Sequence, residues 1–268
     1  MVDRNVGSHS FKLVTGYRRL DELNKKLENF SYRVLKENCL DLPEKIYMKR
    51  IVPLSPEQLK AYTEMKKHAI TELEGRQTTA ASALAQLVRL HQITCGHLAL
   101  DDGEVKTLKN NRIKELLDIL EEIDGKVIIW AIYRHDIKEI THILSERYGE
   151  NSVASFFGDT ADRDRQDIVD RFQDRESDLR FFVGNPRTGG YGLTLTASHT
   201  VIYYSNSYDL EIRLQSEDRA HRISQKEKVT YIDLISEGTV DEYIVKNLRG
   251  KINLATKILG EDLKKWLI

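Results

Sequence analysis

The sequence predicts an α/β fold: a parallel sheet covered on both faces by helices, with a helical appendage toward its amino end. Three observations predict it. Beyond Gly125, short and almost uninterrupted apolar runs alternate with segments of helical period, the pattern of strands buried on both faces and joined by crossover helices. Before Gly125, apolar residues recur at intervals of three and four behind clear helix-start signals. Finally, 268 residues, 40% of them hydrophobic, suffice for one large core or a core with an appendage.

In chain order, Leu20, Leu23, Leu27 and Phe30 recur at helical spacing in a segment crowded with Lys and Glu. Leu42-Pro43-Glu44-Lys45 punctuates it, and Ile46 to Leu54 reads as a strand. Ser55-Pro56-Glu57-Gln58 is a helix start, with Ser as N-cap, Pro at the first helical position and Gln three residues after the cap. Helices are expected from Ser55 to about Gly75, from Thr78 to Thr94 and from Asn111 to Ile123. Strands follow at Val127 to Ile132, Val153 to Phe157, Leu179 to Val183, Thr200 to Tyr204 and Val229 to Ile235. Helices fall between them at Asp136 to Tyr148, Asp162 to Phe172 and Leu210 to His221, with a closing helix from about Val240.

Bulk chemistry narrows the function classes. With 41 Lys plus Arg against 42 Asp plus Glu, the formal net charge is -1, so affinity for a nucleic acid must come from a local patch. Two cysteines, Cys39 and Cys95, fit a reducing compartment and buried thiols better than a disulfide framework. Cys95-Gly96-His97 with nearby His91 lacks a second ligand pair at zinc-site spacing, so no metal site is expected. No apolar run approaches a membrane span and Met1-Val2-Asp3-Arg4 is no signal peptide, so no membrane partner is expected.

In such sheets ligands gather beyond the carboxyl ends of the strands. The loops there are Phe157-Gly158-Asp159-Thr160, Gly184 to Gly192 and Tyr204-Ser205-Asn206-Ser207, each with small or hydroxyl residues able to approach an anion. The run Gln215 to Gln225 is dense in ions. If helical, it sets Gln215, Arg219 and Arg222, at i, i+4 and i+7, on one side, so that two guanidiniums point the same way. Either a surface helix laced with ion pairs through Glu211, Glu217 and Asp218 neutralises them, or an external anion does.

Much catalytic machinery is missing from the sequence. A Gly-x-x-x-x-Gly-Lys-Ser/Thr loop is absent: Gly125-Lys126 and Gly250-Lys251 are followed by Val and Ile. Absent too are a Gly-x-Ser-x-Gly elbow, a His-Glu-x-x-His pair and a Gly-x-Gly-x-x-Gly after a strand. Arginines suited to a phosphate without the means to hold one alone fit a site completed by a second domain.

The run Gln215-Ser216-Glu217-Asp218-Arg219-Ala220-His221-Arg222-Ile223-Ser224-Gln225 resembles motif VI of the Swi/Snf-type helicase-like ATPases of superfamily two. Thr188 to Ala197 resembles motif V and Lys126 to Tyr133 motif IV. Gly158-Asp159-Thr160 followed by Arg163, Arg165 and Phe172 fits as well. Arg33-Val34-Leu35-Lys36, Leu42 to Lys45 and Leu54 to Gln58 resemble the start of the family's second RecA-like lobe, and Leu87 to His97 its Leu-Arg-Gln-Ile-Cys-Asn-His segment. The chain departs at Ser224, where glycine is usual, at Ser205, where aspartate is common, and at Asn185-Pro186 in place of Ser-Thr. Its wording around Tyr204 to Asp218 is more similar to bacterial and phage members.

The resemblance implies a RecA-like C-terminal lobe, catalytically incomplete without an upstream ATP-binding lobe. Residues 1–53 would be the tail of lobe one and a linker, 54–124 a helical subdomain, 125–238 the lobe itself and 239–268 a helical extension. Arg219 and Arg222 would be arginine fingers, with Gln215, Gly190 and Gly192 at the nucleotide edge. Gly158, Thr160, Asn185, Arg187, Thr188 and Gly189 would touch DNA phosphates. ATP with Mg2+ would be held mainly by the upstream lobe. Partners would be duplex DNA without strong sequence preference and that N-terminal lobe, in a bacterial or phage-infected cytoplasm, or in a nucleus if eukaryotic. The competing reading is a non-catalytic module that binds nucleic acid or protein.

Overall fold

Val127, Ile128, Ile129 and Trp130 are all fully buried, as a strand covered on both faces must be. In the computed structural model, residues 2–6, 9–13, 18–19, 22–23, 25–26, 29–30, 40–73, 76–80, 82–189 and 192–259 are described. They fall into two units. The first includes an antiparallel hairpin of β1 (Val2–Val6) and β2 (His9–Leu13). The second, Asp41–Leu248, holds the sheet. Of the early amphipathic segment, Leu23 and Phe30 are exposed, while Leu20 and Leu27, like Cys39, lie outside the described residues.

The sheet contains β3 (Lys45–Ile51), β8 (Val127–Trp130), β9 (Val153–Phe156), β10 (Phe181–Gly184), β11 (Thr200–Tyr203) and β12 (Val229–Ile235). They lie in the order β3-β12-β11-β8-β10-β9, every neighbouring pair parallel. The strand expected at Ile46 to Leu54 forms at Lys45–Ile51. It is the sheet's edge, in register with β12 from Lys45 opposite Val229 to Ile51 opposite Ile235.

Alternation along β8 divides the core. Val127 and Ile129 join Leu116, Ile119, Leu120, Ile137, Ile140 and Leu144 on one face. Those residues come from α3 (Arg112–Glu122) and α4 (Arg134–Tyr148). Ile128 and Trp130 join Phe156, Phe182, Tyr203, Tyr231 and the Ile168, Val169 and Phe172 of α5 (Asp162–Gln173) on the other. Where β10 ends between β8 and β9, a Cβ on Gly184 would stand 2.9 Å from the Phe156 carbonyl oxygen and 3.0 Å from the Trp130 ring. Only glycine fits there without displacing the sheet.

The amino-terminal part of this unit is less helical than expected. Helix α1 (Pro56–His68) opens with the expected capping box, Gln58 N–H on Ser55 Oγ at 3.1 Å and Ser55 N–H on Gln58 Oε1 at 3.0 Å. It stops at Ala69, which is left-handed at φ 55°, rather than running to Gly75. A hairpin of β4 (Ile70–Leu73) and β5 (Arg76–Thr79) follows, rich in the β-branched residues Ile70, Thr71, Thr78 and Thr79. Helix α2 (Ala83–Cys95) closes on Gly96, and a second hairpin pairs β6 (His97–Ala99) with β7 (Val105–Thr107).

Two buried charges pin this part to the sheet. Arg112, 1% exposed, pairs with Asp241 and donates to the carbonyls of Tyr204 and Leu234. Asp241 lies in the first turn of α8 (Val240–Leu259) and also accepts from Thr94 Oγ1 at 2.8 Å and Ser236 N–H at 3.0 Å. Nearby, His91 is buried, with Nδ1 3.0 Å from the Tyr133 hydroxyl. Burial pushes its pKa down to about 4 from an ordinary 6.5, against the pull of Asp241.

Because His91 stays neutral when folded but takes a proton when unfolded below pH 6.5, stability falls as pH drops from 6.5 through 4. That loss is about 3 kcal/mol. Urea unfolding of wild type and His91→Gln across this window should show the wild type losing that much more than the variant. Equal slopes would refute the assignment.

Candidate functional site

The residues around Gln215 are placed by a buried ionic cluster. Helix α7 (Leu210–Glu217) starts at Asp209, whose carboxylate accepts from Glu211 N–H at 3.0 Å and Ile212 N–H at 3.4 Å. On its inner side Arg213, 3% exposed, lies over the Tyr203 ring at 3.4 Å from the centroid. Its guanidinium donates to Glu217 Oε1 at 2.9 Å, Asn206 Oδ1 at 2.6 Å and both Asp233 oxygens. Glu217, with no exposed surface, also accepts from Lys45 Nζ at 3.1 Å and Tyr47 Oη at 2.8 Å. Burial would lift its carboxyl, but Lys45 and Arg213 hold it below the usual range. The helix bearing Gln215 is thus tied to β3, β11 and β12 at once.

That helix was expected to run to His221, and it ends at Glu217. Past it the chain tightens into short turns, Arg219 N–H on Ser216 O at 3.3 Å and Ala220 N–H on Glu217 O at 3.2 Å, while the Arg219 carbonyl is taken by Leu195 N–H at 2.9 Å. Arg219 and Arg222 therefore do not share a helix face. They still converge: Arg219 Nη1 and Arg222 Nη1 each donate to the Leu193 carbonyl at 3.2 Å. Arg219 Nε also reaches Gln215 O at 2.9 Å, and Arg222 Nη1 reaches Thr194 Oγ1 at 3.0 Å. All these acceptors are neutral oxygens. Burial, and then the neighbouring Arg222, holds the Arg219 pKa below the usual arginine range, so an anion beside the pair relieves both repulsion and desolvation.

The rest of the run braces this turn. His221 Nε2 lies 2.7 Å from Pro43 O. Gln225, buried, donates to the carbonyls of Thr196, Ser198 and Ala220. Ser224 Oγ sits 2.9 Å from Thr196 Oγ1. The segments 193–198 and 219–225 are thus stitched together. Gln215 Nε2 is occupied by Glu211 at 2.8 Å. Gly192 is left-handed at φ 77° and exposed, and Gly190 lies outside the described residues.

The remaining candidates gather at the carboxyl ends of β9 and β10. Thr160 closes its loop, Oγ1 donating to Ser155 O at 3.2 Å and accepting from Phe157 N–H at 3.0 Å. Asn185 N–H donates to Phe156 O at 3.0 Å, bringing the two loops side by side. Its side chain binds Ile132 O at 2.7 Å and Arg187 N–H at 2.9 Å, so it shapes the loop. Arg187 is exposed and Thr188 half-buried in α6 (Pro186–Gly189), which ends at Gly189 and packs on α7. The third loop differs: Tyr204, Ser205 and Asn206 are buried, with Ser205 Oγ taking Ile132 N–H at 2.9 Å, so it is internal structure.

The sequence reading missed two cations at this rim. Gly158 lies against Arg134, which pairs with Asp159 at 2.9 Å, and Lys138 reaches the same carboxylate at 3.8 Å. Arg134 and Lys138, at i and i+4 in the first turns after β8, carried a signal that could have found them. Arg213 carried only its i, i+4 spacing to Glu217, because its other carboxylate partner, Asp233, is 20 positions away.

Comparison with known proteins bears on the fold and the family. Residues 108–224 match the helicase conserved C-terminal domain. The chain is 31% identical over 263 residues to YwqA of Bacillus subtilis, named for an ATP-dependent helicase or translocase, covering 93% of this chain and 28% of that protein. It is 29% identical over 255 residues to snf22, a SWI/SNF chromatin-remodeling complex subunit of Schizosaccharomyces pombe, covering 90% and 15%. It therefore spans less than a third of either relative. Its fold is similar to that of the Sulfolobus solfataricus SWI2/SNF2 ATPase C-terminal domain, with a TM-score of 0.56 and 24% identity over 83% of this chain and 92% of that one. The C-terminal part of the Fun30 ATPase domain gives a TM-score of 0.61 at 19% identity, covering 78% and 90%. Motif order, matched domain and six-stranded parallel sheet together place the chain in the Swi/Snf-type, helicase-like superfamily two, as a C-terminal RecA-like lobe.

Proposed function

We propose that the chain is the second motor lobe of an ATP-dependent DNA translocase, presenting Arg219 and Arg222 as arginine fingers to ATP held by a separate, upstream lobe. The observation that carries this is the convergence of the two guanidiniums on the Leu193 carbonyl, in a sequence without a phosphate-holding loop. A pair resting on neutral oxygens fits a terminal phosphate, whose negative charge ATP with Mg2+ would bring to the cleft. The chain's own part is to hold both cations where charge develops during phosphoryl transfer.

In this reading Gln215 fixes the height of Arg219 through its carbonyl. Gly190 and Gly192 belong to the nucleotide edge, and the loop Gly189 to Gly192 couples that edge to the DNA track. Gly158, Thr160, Arg187, Thr188 and Gly189 face backbone phosphates of duplex DNA from the two adjoining loops, with Asn185 shaping the second. Contacts of this kind favour binding with little sequence preference. Among the described residues no helix is long and apolar enough to cross a membrane.

The test compares ATP turnover, with and without duplex DNA, by this chain and by a protein joining it to its upstream half. Only the joined protein should hydrolyse ATP. Robust turnover by this chain alone, lost in Arg222→Ala, would overturn the two-lobe reading.

A further inference from the structure

Away from the arginine cleft, where the β6–β7 hairpin meets the start of α4, the side chains of His97, His135 and Asp136 turn their donor atoms toward one another, with Glu139 beside His135. His97 Nδ1 lies 2.7 Å from Asp136 Oδ1, His135 Nδ1 lies 3.6 Å from the same oxygen, and His135 Nδ1 is 3.8 Å from Glu139 Oε2. His97 is 1% exposed and Asp136 not at all. His97 Nδ1, His135 Nδ1, both Asp136 oxygens and Glu139 Oε2 are buried, and none of them makes a hydrogen bond of acceptable geometry.

A buried carboxylate without well-formed hydrogen bonds is costly, and either a protonated imidazole or a bound cation among these donors offsets that cost. The second nitrogen of His135 is already engaged, Nε2 at 2.9 Å from Thr107 Oγ1. With Nε2–H donating to that hydroxyl, Nδ1 carries the lone pair and faces the carboxylates, the outer-shell arrangement that orients a metal-binding histidine. The donor atoms of His97, His135 and Asp136 all lie within 4.8 Å of one another. Ligands of a tetrahedral zinc ion sit about 3.3 Å apart, and the separations of His97 and His135 from Asp136 Oδ1 bracket that value.

We propose that His97, His135 and Asp136 form a site for one divalent transition-metal ion, zinc by its imidazole and carboxylate donors, with Glu139 beside His135 at its edge. The ion would cross-link the β6–β7 hairpin to α4, the helix that follows the central strand β8. Cys95, the neighbour that drew attention in the sequence, takes no part. The ligands that complete the set come from His135 and Asp136, too far along the chain for spacing to reveal.

The test uses the whole 268-residue chain, stripped with chelator and titrated with Zn2+ by calorimetry and with Co2+ by visible absorption. One equivalent should bind, Co2+ should show the intense bands of a low-coordinate site, and Zn2+ should raise the melting temperature. His135 is partly exposed, so His135→Gln should fold and lose affinity about tenfold or more, and Thr107→Val should lose about tenfold through the ring it orients. A plain His–Asp–His ion-pair cluster predicts no stoichiometric uptake by the wild-type chain, and that result would overturn the site. So would uptake unchanged in His135→Gln.

Discussion

Joined to its upstream half, the Arg222→Ala protein should hydrolyse ATP about a thousandfold more slowly on DNA, with ATP affinity altered only a few fold. The guanidinium of Arg222 is exposed and, among the described residues, held by the Leu193 carbonyl and the Thr194 hydroxyl, contacts that a bound phosphate can displace. Arg219 is more buried and braced by Gln215 O as well as Leu193 O. Arg219→Ala should therefore lower kcat comparably but also loosen the turn, with a modest loss of stability that Arg222→Ala lacks. Stopped-flow binding of a fluorescent ATP analogue beside steady-state turnover separates the two effects. Unchanged kcat in both variants would remove the finger assignment.

The largest effect on stability should come from Glu217→Ala. It deletes a carboxylate with no exposed surface that serves Arg213, Lys45 and Tyr47 together, and takes from the buried Arg213 one of its two carboxylate partners among the described residues, Asp233 being the other. Breaking a buried pair from one side costs about 3–5 kcal/mol. Glu217→Gln keeps the shape and an acceptor for Tyr47, and should cost about 1–3 kcal/mol. Urea denaturation followed by tryptophan fluorescence measures both, since Trp130 lies in the adjoining core. A loss under 1 kcal/mol in Glu217→Ala would mean that α7 is held by packing alone.

Much of the sheet was legible because its strands carry four buried residues in succession, as in Val127–Trp130 and Phe181–Gly184. Periodicity could not show the β4–β5 and β6–β7 hairpins, which are short and set partly by turns such as the left-handed Ala69 and Gly96. Nor could it show the edge position of β3, fixed by pairing with a strand far along the chain.

At the candidate site the two arginines were legible from charge density, and their common direction is as expected, but its cause differs. Helical spacing predicts a shared face. The structure instead turns the chain after Glu217 and brings both cations to one carbonyl. The ion pairs Arg213–Asp233 and Arg112–Asp241 were opaque, because nothing local marks which of 42 acidic residues will meet a given arginine.

The pairing of β3 with β12 bears on how the lobe is assembled during synthesis. Lys45 and Val229, which face each other, are separated by 184 positions, a long loop to close before its contacts are made. Until Val229–Ile235 leaves the ribosome, β3 has no neighbour, and Ile46, Met48 and Ile51, exposed even in the finished fold, border an open edge able to pair with another nascent chain. Completion of this sheet is a late event, and the nascent lobe depends on protection of that edge until its last strand arrives.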